Sequence, residues 1–107
     1  MENYSKIQFK KDKKQINEIA LLYKIYKFKL SVIAPDKLNK REKQRIKEYQ
    51  SYVNLIDSIS TELSNESRRI ITQCFFDKKG NDQYHCSRTT FYSKLKIALS
   101  EFFKYYR

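Results

Sequence analysis

Cys74, His85 and Cys86 are the side chains with the richest chemistry in this sequence, and their spacing limits what they can do. Zinc in a small domain wants four ligands in short paired spacings such as C-x-x-C. Here only His85 and Cys86 are adjacent, Cys74 stands eleven residues earlier, and no fourth ligand accompanies them. No metal is expected. His85 is the one histidine, without a Ser or Asp at a recognisable catalytic spacing, and no Gly-rich loop offers to cradle a phosphate. The expectation is a chain with no catalytic residues and no cofactor. Cys74 then reads as a small buried hydrophobe, and His85 as a phosphate contact or an inert loop residue.

A different chemistry is written in Ser87-Arg88-Thr89-Thr90-Phe91-Tyr92 and the residues that follow. A helix that enters the major groove needs a capped N-terminus near the phosphates, one apolar stripe to fix its roll, and polar or basic groups on the other side. Ser87 supplies the cap. Phe91, Leu95, Ala98, Leu99, Phe102 and Tyr106 form the stripe, and Arg88, Thr89, Tyr92, Ser93 and Lys96 form the other side. Ser, Thr, Arg and Lys can bond base edges and phosphates. The alternative is an ordinary surface helix with a polar face.

Further basic stretches have the same two readings, phosphate contact or solvated surface. They are Lys10-Lys11-Asp12-Lys13-Lys14, read as a flexible arm or tail, with Lys24, Lys27 and Lys29 beyond it, and the cluster Lys37, Lys40, Arg41, Lys43, Arg45 and Lys47. Tyr4, Phe9, Tyr105 and Tyr106 suit a stacking platform for single-stranded RNA, but most other aromatics fall at core spacing.

These side chains need elements to hold them. The chain has 107 residues, 40% of them hydrophobic, with one Gly (Gly80) and one Pro (Pro35). So little glycine argues against all-β folds and leaves an all-α protein. The first helix is expected from about Lys13 to Ile33. Ile16, Ile19, Tyr23, Tyr26, Leu30 and Ile33 line its inner face, Leu22, Ile25 and Val32 widen the stripe, and Pro35 ends the helix. The second starts near Pro35-Asp36, runs to about Leu63 on Ile46, Tyr49, Val53 and Ile56, and folds back on the first as an antiparallel hairpin. Ser64 caps a third helix carrying Ile70, Ile71, Cys74 and Phe75 and ending near Phe76, and residues 77–82 form a loop around Gly80. Residues 1–63 thus make a basic supporting or assembly hairpin and residues 64–107 the DNA-binding part, within one domain.

The formal net charge is +11, a field that draws polyanions. Residues 1–47 hold fourteen bases and five acids, residues 48–67 four acids and no base, and residues 68–107 nine bases and three acids. The acidic middle suits an element facing away from a polyanion. The competing explanation is the codon bias of an AT-rich genome, which raises lysine without any partner. No run is apolar enough to span a membrane, and the N-terminus has no signal-peptide pattern, so a reducing, cytoplasmic location with free thiols is expected.

The pattern Ser87-x-x-Thr90-Phe91-x-x-x-Leu95-x-x-Ala98-Leu99-x-x-Phe102 resembles the recognition helix of sigma-factor region 4. It is more similar still to ArpU-type phage transcription regulators and related small mollicute proteins. Ser64-Asn65-Glu66-Ser67-Arg68-Arg69-Ile70-Ile71 is similar to the helix that precedes it in those families. The resemblance implies a C-terminal helix-turn-helix, binding to double-stranded DNA and a role in transcription regulation, with RNA polymerase and self-association as further partners to consider. It places Arg88, Thr89, Tyr92, Ser93 and Lys96 toward bases and phosphates. Ser87, Thr90, Arg68, Arg69, Lys78 and Lys79 complete the set of DNA-contacting residues expected. These families place a support helix of about eight residues before the capping Ser. This chain has only residues 81–86 there, so the motif is truncated or the third helix takes over the support. The rival reading is a helical interaction protein, whose heptad-like first helix pairs with another chain or with itself.

Overall fold

The computed structural model describes residues 5–33, 38–77 and 88–107, and all the regular structure in them is helical. Helix α1 spans Lys6–Ser31, α2 spans Lys40–Glu62, α3 spans Asn65–Ile71 and α4 spans Arg88–Tyr106; α3 runs directly into a π-helical turn, Thr72–Phe76. Each start has a local cause. Ser5 and Asn39 accept the backbone N–H groups of Gln8 (3.0 Å) and Glu42 (2.8 Å), the bonds that satisfy exposed donors of a first turn. Ser64 does the same for α3 through the N–H of Ser67.

Two starts differ from the sequence reading. α1 begins at Lys6, about two turns before Lys13, so Lys10 to Lys14 are helical rather than a flexible arm. The reason lies at Asp12. Its carboxylate is buried and accepts from Gln8 Nε2 at 2.8 Å and from Arg107 Nη2 at 2.6 Å, which ties the first turns of α1 to the residue after α4. Periodicity of apolar residues cannot register an anchor made of charge. α2 begins at Lys40, after the Asn39 cap, rather than at residues 35–36; residues 34–37 lie outside those described.

The core gathers at one end of an elongated molecule with extents of 52 × 27 × 22 Å. Ile16, Ile19 and Ala20 of α1, Ile56 and Ile59 of α2, Ile70 and Ile71 of α3, Phe75 of the π turn and Leu95, Ala98, Leu99, Phe102 and Phe103 of α4 form one buried cluster. The inner face expected for α1 holds, buried at Ile16 and Ile19 and half-buried from Tyr23 to Leu30. Leu22, Ile25 and Val32 do not widen it; all three are exposed. Contacts between α1 and α2 pair rising with falling residue numbers. The Tyr23 hydroxyl donates to Asp57 at 2.6 Å, Tyr26 stacks on Tyr49 and meets Tyr52 edge-on, and Lys29 Nζ lies over the Tyr49 ring. Beyond Tyr23 on α1 and before Val53 on α2 no side chain of either helix is fully buried. Those halves therefore project past the core.

Two polar anchors set α3. Glu101 of α4 accepts from the backbone N–H and hydroxyl of Ser64, and from the hydroxyl of buried Ser67. A carboxylate is thereby placed at the positive end of α3. Burial alone would raise the Glu101 pKa, but the hydrogen bonds from Ser67 and Ser64, with Lys104 nearby, outweigh it and leave the pKa lowered. Arg68 supplies the second anchor. Its Nε donates to the Ser60 carbonyl at 2.8 Å, and its Nη2 to the carbonyls of Thr61 and Leu63 at 3.2 Å each. Ser60 also accepts the backbone N–H of Leu63, so the guanidinium adds a second donor there and supplies the one that the carbonyls of Thr61 and Leu63 lack at the helix end.

Candidate nucleic-acid interface

α4 turns its apolar stripe into the core, and that fixes what its remaining circumference offers. Arg88, Thr89, Thr90 and Ser93 are all exposed around its first turns. Tyr92 and Lys96 are half-buried, because the first turns of α1 lie against them. Phe9 meets the Tyr92 ring edge-on at 6.4 Å between centroids. The Lys13 ammonium sits 5.4 Å from the centre of Phe9 and 5.8 Å from that of Tyr92, and the Lys96 ammonium 5.6 Å from the centre of Phe9. Two lysines from two helices thus share one aromatic ring.

Cation–π attraction holds each ammonium over a ring at a modest gain of about 0.5–1 kcal/mol when exposed, and it neutralises neither charge. Among the described residues no carboxylate lies within ion-pair distance of Lys13, Lys96 or Arg88; the ion pairs formed are Lys94 with Glu66 at 3.5 Å and Arg107 with Asp12. Exposed Lys6 and Lys10 stand on the same stretch of α1. The cluster is therefore electropositive, with the exposed hydroxyls of Thr89 and Ser93 on the same first turns of α4.

The other expected contacts divide. Arg69 is exposed on α3. Arg68 caps the end of α2, with Nε and Nη2 committed to backbone carbonyls and Nη1 to the Asn65 side chain. Ser87, Lys78 and Lys79 lie outside the described residues, as do residues 81–86, His85 and Cys86 included. Lys13 and Phe9 are the members that reading α4 alone misses. Both stood in the sequence as part of a basic stretch and an aromatic, but only α1 starting at Lys6 brings them to Tyr92 and Lys96.

A second basic surface lies on the projecting half of α2, where Lys40, Arg41, Lys43, Arg45 and Lys47 are all exposed. Lys40, Arg41, Gln44, Arg45 and Glu48 line an open depression there.

A different concavity, of about 230 Å³, lies between α1, α2 and the π turn, with Tyr23, Asp57, Thr72, Phe76 and Asp77 among its walls. Burial, followed by the bond to Asp57 and its negative charge, pushes the Tyr23 hydroxyl up to about 12, so this wall stays protonated near neutrality and donates. Cys74 is half-buried, and burial pushes its thiol upward, which disfavours the reactive thiolate. No group of three or more His, Cys, Asp and Glu among the described residues is placed to hold a metal ion. Among the described residues, no helix is long and apolar enough to cross a membrane.

No family model, no curated protein and no solved structure matches this chain. The similarity to ArpU-type regulators and sigma-factor region 4 therefore rests on the motif from Ser64 to Phe102 alone.

Proposed function

We propose that this chain binds double-stranded DNA through a surface shared by α1 and α4, with Lys13, Lys96 and Arg88 on phosphates and Thr89 and Ser93 reaching further into the groove. The observation that carries the reading is the pair of lysines on the Phe9 ring, held against the first half of α4 with no carboxylate of the described residues within ion-pair distance. A phosphate between them relieves their mutual repulsion and releases the counterions condensed on DNA. In this reading α3 takes the support role and α4 the recognition role of a helix-turn-helix, with the α1–α2 pair as hairpin support. The geometry alters the recognition face read from sequence in one respect. Tyr92 packs on Phe9 and serves as a platform, while α1 supplies the missing cation. Exposed basic residues on α2 add non-specific affinity. A role in transcription regulation, with or without contact to RNA polymerase, is part of the proposal that only motif similarity supports.

The test is fluorescence anisotropy with labelled duplexes of random sequence over a salt series. Binding that is micromolar near about 0.05 M salt and weakens with a log–log slope of at least about −3 supports the reading. Absence of binding at low salt overturns it.

A further inference from the structure

α1 carries a second face that none of the described helices covers. Leu21, Ile25 and Phe28 on its outer side, with Val32 just past its end, are 58%, 38%, 67% and 64% exposed. Their spacing is four, three, four, the repeat of a helix–helix seam, and at 1.5 Å per residue they run for about 16 Å. The face belongs to the half of α1 that projects beyond the core, so access from solvent is open along its length.

We propose that this seam is covered by the same seam of a second copy, with the two α1 helices antiparallel about a two-fold axis between Tyr26 and Lys27. The spacing is its own mirror image about that point. Reversed onto itself, Leu21 meets Val32 of the second copy and Ile25 meets Phe28, so each contact pairs a larger side chain with a smaller or branched one. An isologous interface needs such self-complementarity.

The flanking charges choose the direction. Lys24 precedes Ile25 on one flank, and Lys29 follows Phe28 on the other. In a parallel pair, the flanking residues five apart face each other across the seam, which sets Lys24 against Lys29 twice. In the antiparallel pair, like flanks meet instead. Lys24 then lies opposite Ser31, and Lys29 opposite Leu22, whose 38% exposure the methylene stem of a lysine can cover. No lysine faces a lysine, and apolar area is added.

Five side chains per copy bury well under the roughly 800 Å² per partner of a standard interface, so the dimer is weak and forms at micromolar concentrations or above. Each copy carries a net +11. Added salt screens that repulsion and strengthens the pairing, the reverse of its effect on DNA binding. The dimer stands on the seam alone and does not depend on the nucleic-acid reading.

Sedimentation velocity on the full chain tests it, over about 10–500 μM and at about 0.1 and 0.5 M salt. The expected result is a mass that rises from 13.0 kDa toward twice that value, at lower concentration in the higher salt. Phe28→Glu and, separately, Val32→Lys are expected to hold the chain monomeric with unchanged helical circular dichroism. The direction is read by mixing Ile25→Cys and Phe28→Cys chains, both with Cys74→Ala and Cys86→Ser, under a glutathione buffer. Antiparallel pairing gives the mixed disulfide well above the twofold excess over either homodisulfide that random pairing of equimolar chains produces, whereas an excess of the homodisulfide of the Ile25→Cys chain over that random share overturns it. A monomer at every concentration overturns the proposal, and it does so too if the monomer floats with anionic phosphatidylserine vesicles, which would make a lipid surface the occupant.

Discussion

Replacing Lys13 and Lys96 together by Ala removes both ammonium groups from the Phe9 ring and leaves its packing on Tyr92 in place. On B-form DNA each neutralised phosphate contributes about 0.9 to the slope of log affinity against log salt, so the double variant should lower the slope by about 1.8. Carried from about 1 M salt, where counterion release no longer drives binding, to about 0.1 M, this amounts to roughly a 60-fold loss of affinity. The cost to folding is comparable, about 1.5–3 kcal/mol if all three ring contacts are lost in full. Anisotropy titrations of wild type and variant against one random-sequence duplex give both quantities, with circular dichroism to check that the helices persist. Arg88→Ala added to the pair should take off a further unit of slope. An unchanged slope in the double variant would remove the α1–α4 cluster from the interface, whatever affinity remained.

Arg68→Ala should destabilise the fold by about 2 kcal/mol, since it leaves the carbonyls of Thr61 and Leu63 at the end of α2 without their donor, while Ser60 keeps the N–H of Leu63, yet leave the DNA salt slope at the wild-type value; a reduced slope in a folded variant would return Arg68 to the interface. Arg107→Ala takes the guanidinium away from the Asp12 carboxylate, whose side chain is 3% exposed, and should cost about 3 kcal/mol, a fall in Tm of about 10 °C or more. Adding Asp12→Asn should restore part of that loss, and no recovery in the double variant would show that the pair is not what holds α1 to the end of α4. Glu101 has a lowered folded-state pKa, so its contribution is complete above the ordinary carboxyl range and disappears as pH falls through the folded value. Urea unfolding of Glu101→Gln should therefore show a smaller loss of stability between about pH 6 and pH 3 than wild type does, and identical acid limbs would disprove the linkage.

Apolar periodicity made most of the fold legible. Ile16 and Ile19, Val53 and Ile56, Ile70 and Ile71, and the α4 stripe from Phe91 to Phe102 are buried where their spacing placed them. Ser64 caps α3 as its residue type implied. What stayed hidden depends on contacts between residues distant in sequence. Asp12 looked like one acid in a basic tail, and only Arg107, ninety-five positions away, reveals it as the anchor that makes the tail a helix. Arg68 looked like a phosphate ligand because an exposed and a capping arginine have the same letter. Leu22, Ile25 and Val32 were assigned to the core since their hydrophobicity was visible, but the half of α1 they occupy reaches beyond anything that could bury them. Phe9 and Lys13 belong to the candidate site through the crossing of α1 over α4, and no local pattern encodes that crossing.

α1 thus divides its circumference among three tasks along its length. Its inner side builds the core, the early turns bring Lys13 to Lys96, and the outer side of its projecting half carries the apolar seam. If both proposals hold, the two surfaces facing solvent should respond to ionic strength in opposite directions. Phosphate binding at Lys13 and Lys96 should weaken as salt rises, while pairing of two chains of like charge should strengthen. DNA itself neutralises part of the charge that keeps the copies apart, so occupancy of the first surface should favour the second. This coupling is reciprocal. Phe28→Glu, which touches no residue of the α1–α4 cluster, should therefore weaken binding to a duplex long enough for two copies and leave binding to one that admits a single copy unchanged. Equal affinities of wild type and Phe28→Glu on the longer duplex would mean that the two surfaces act independently.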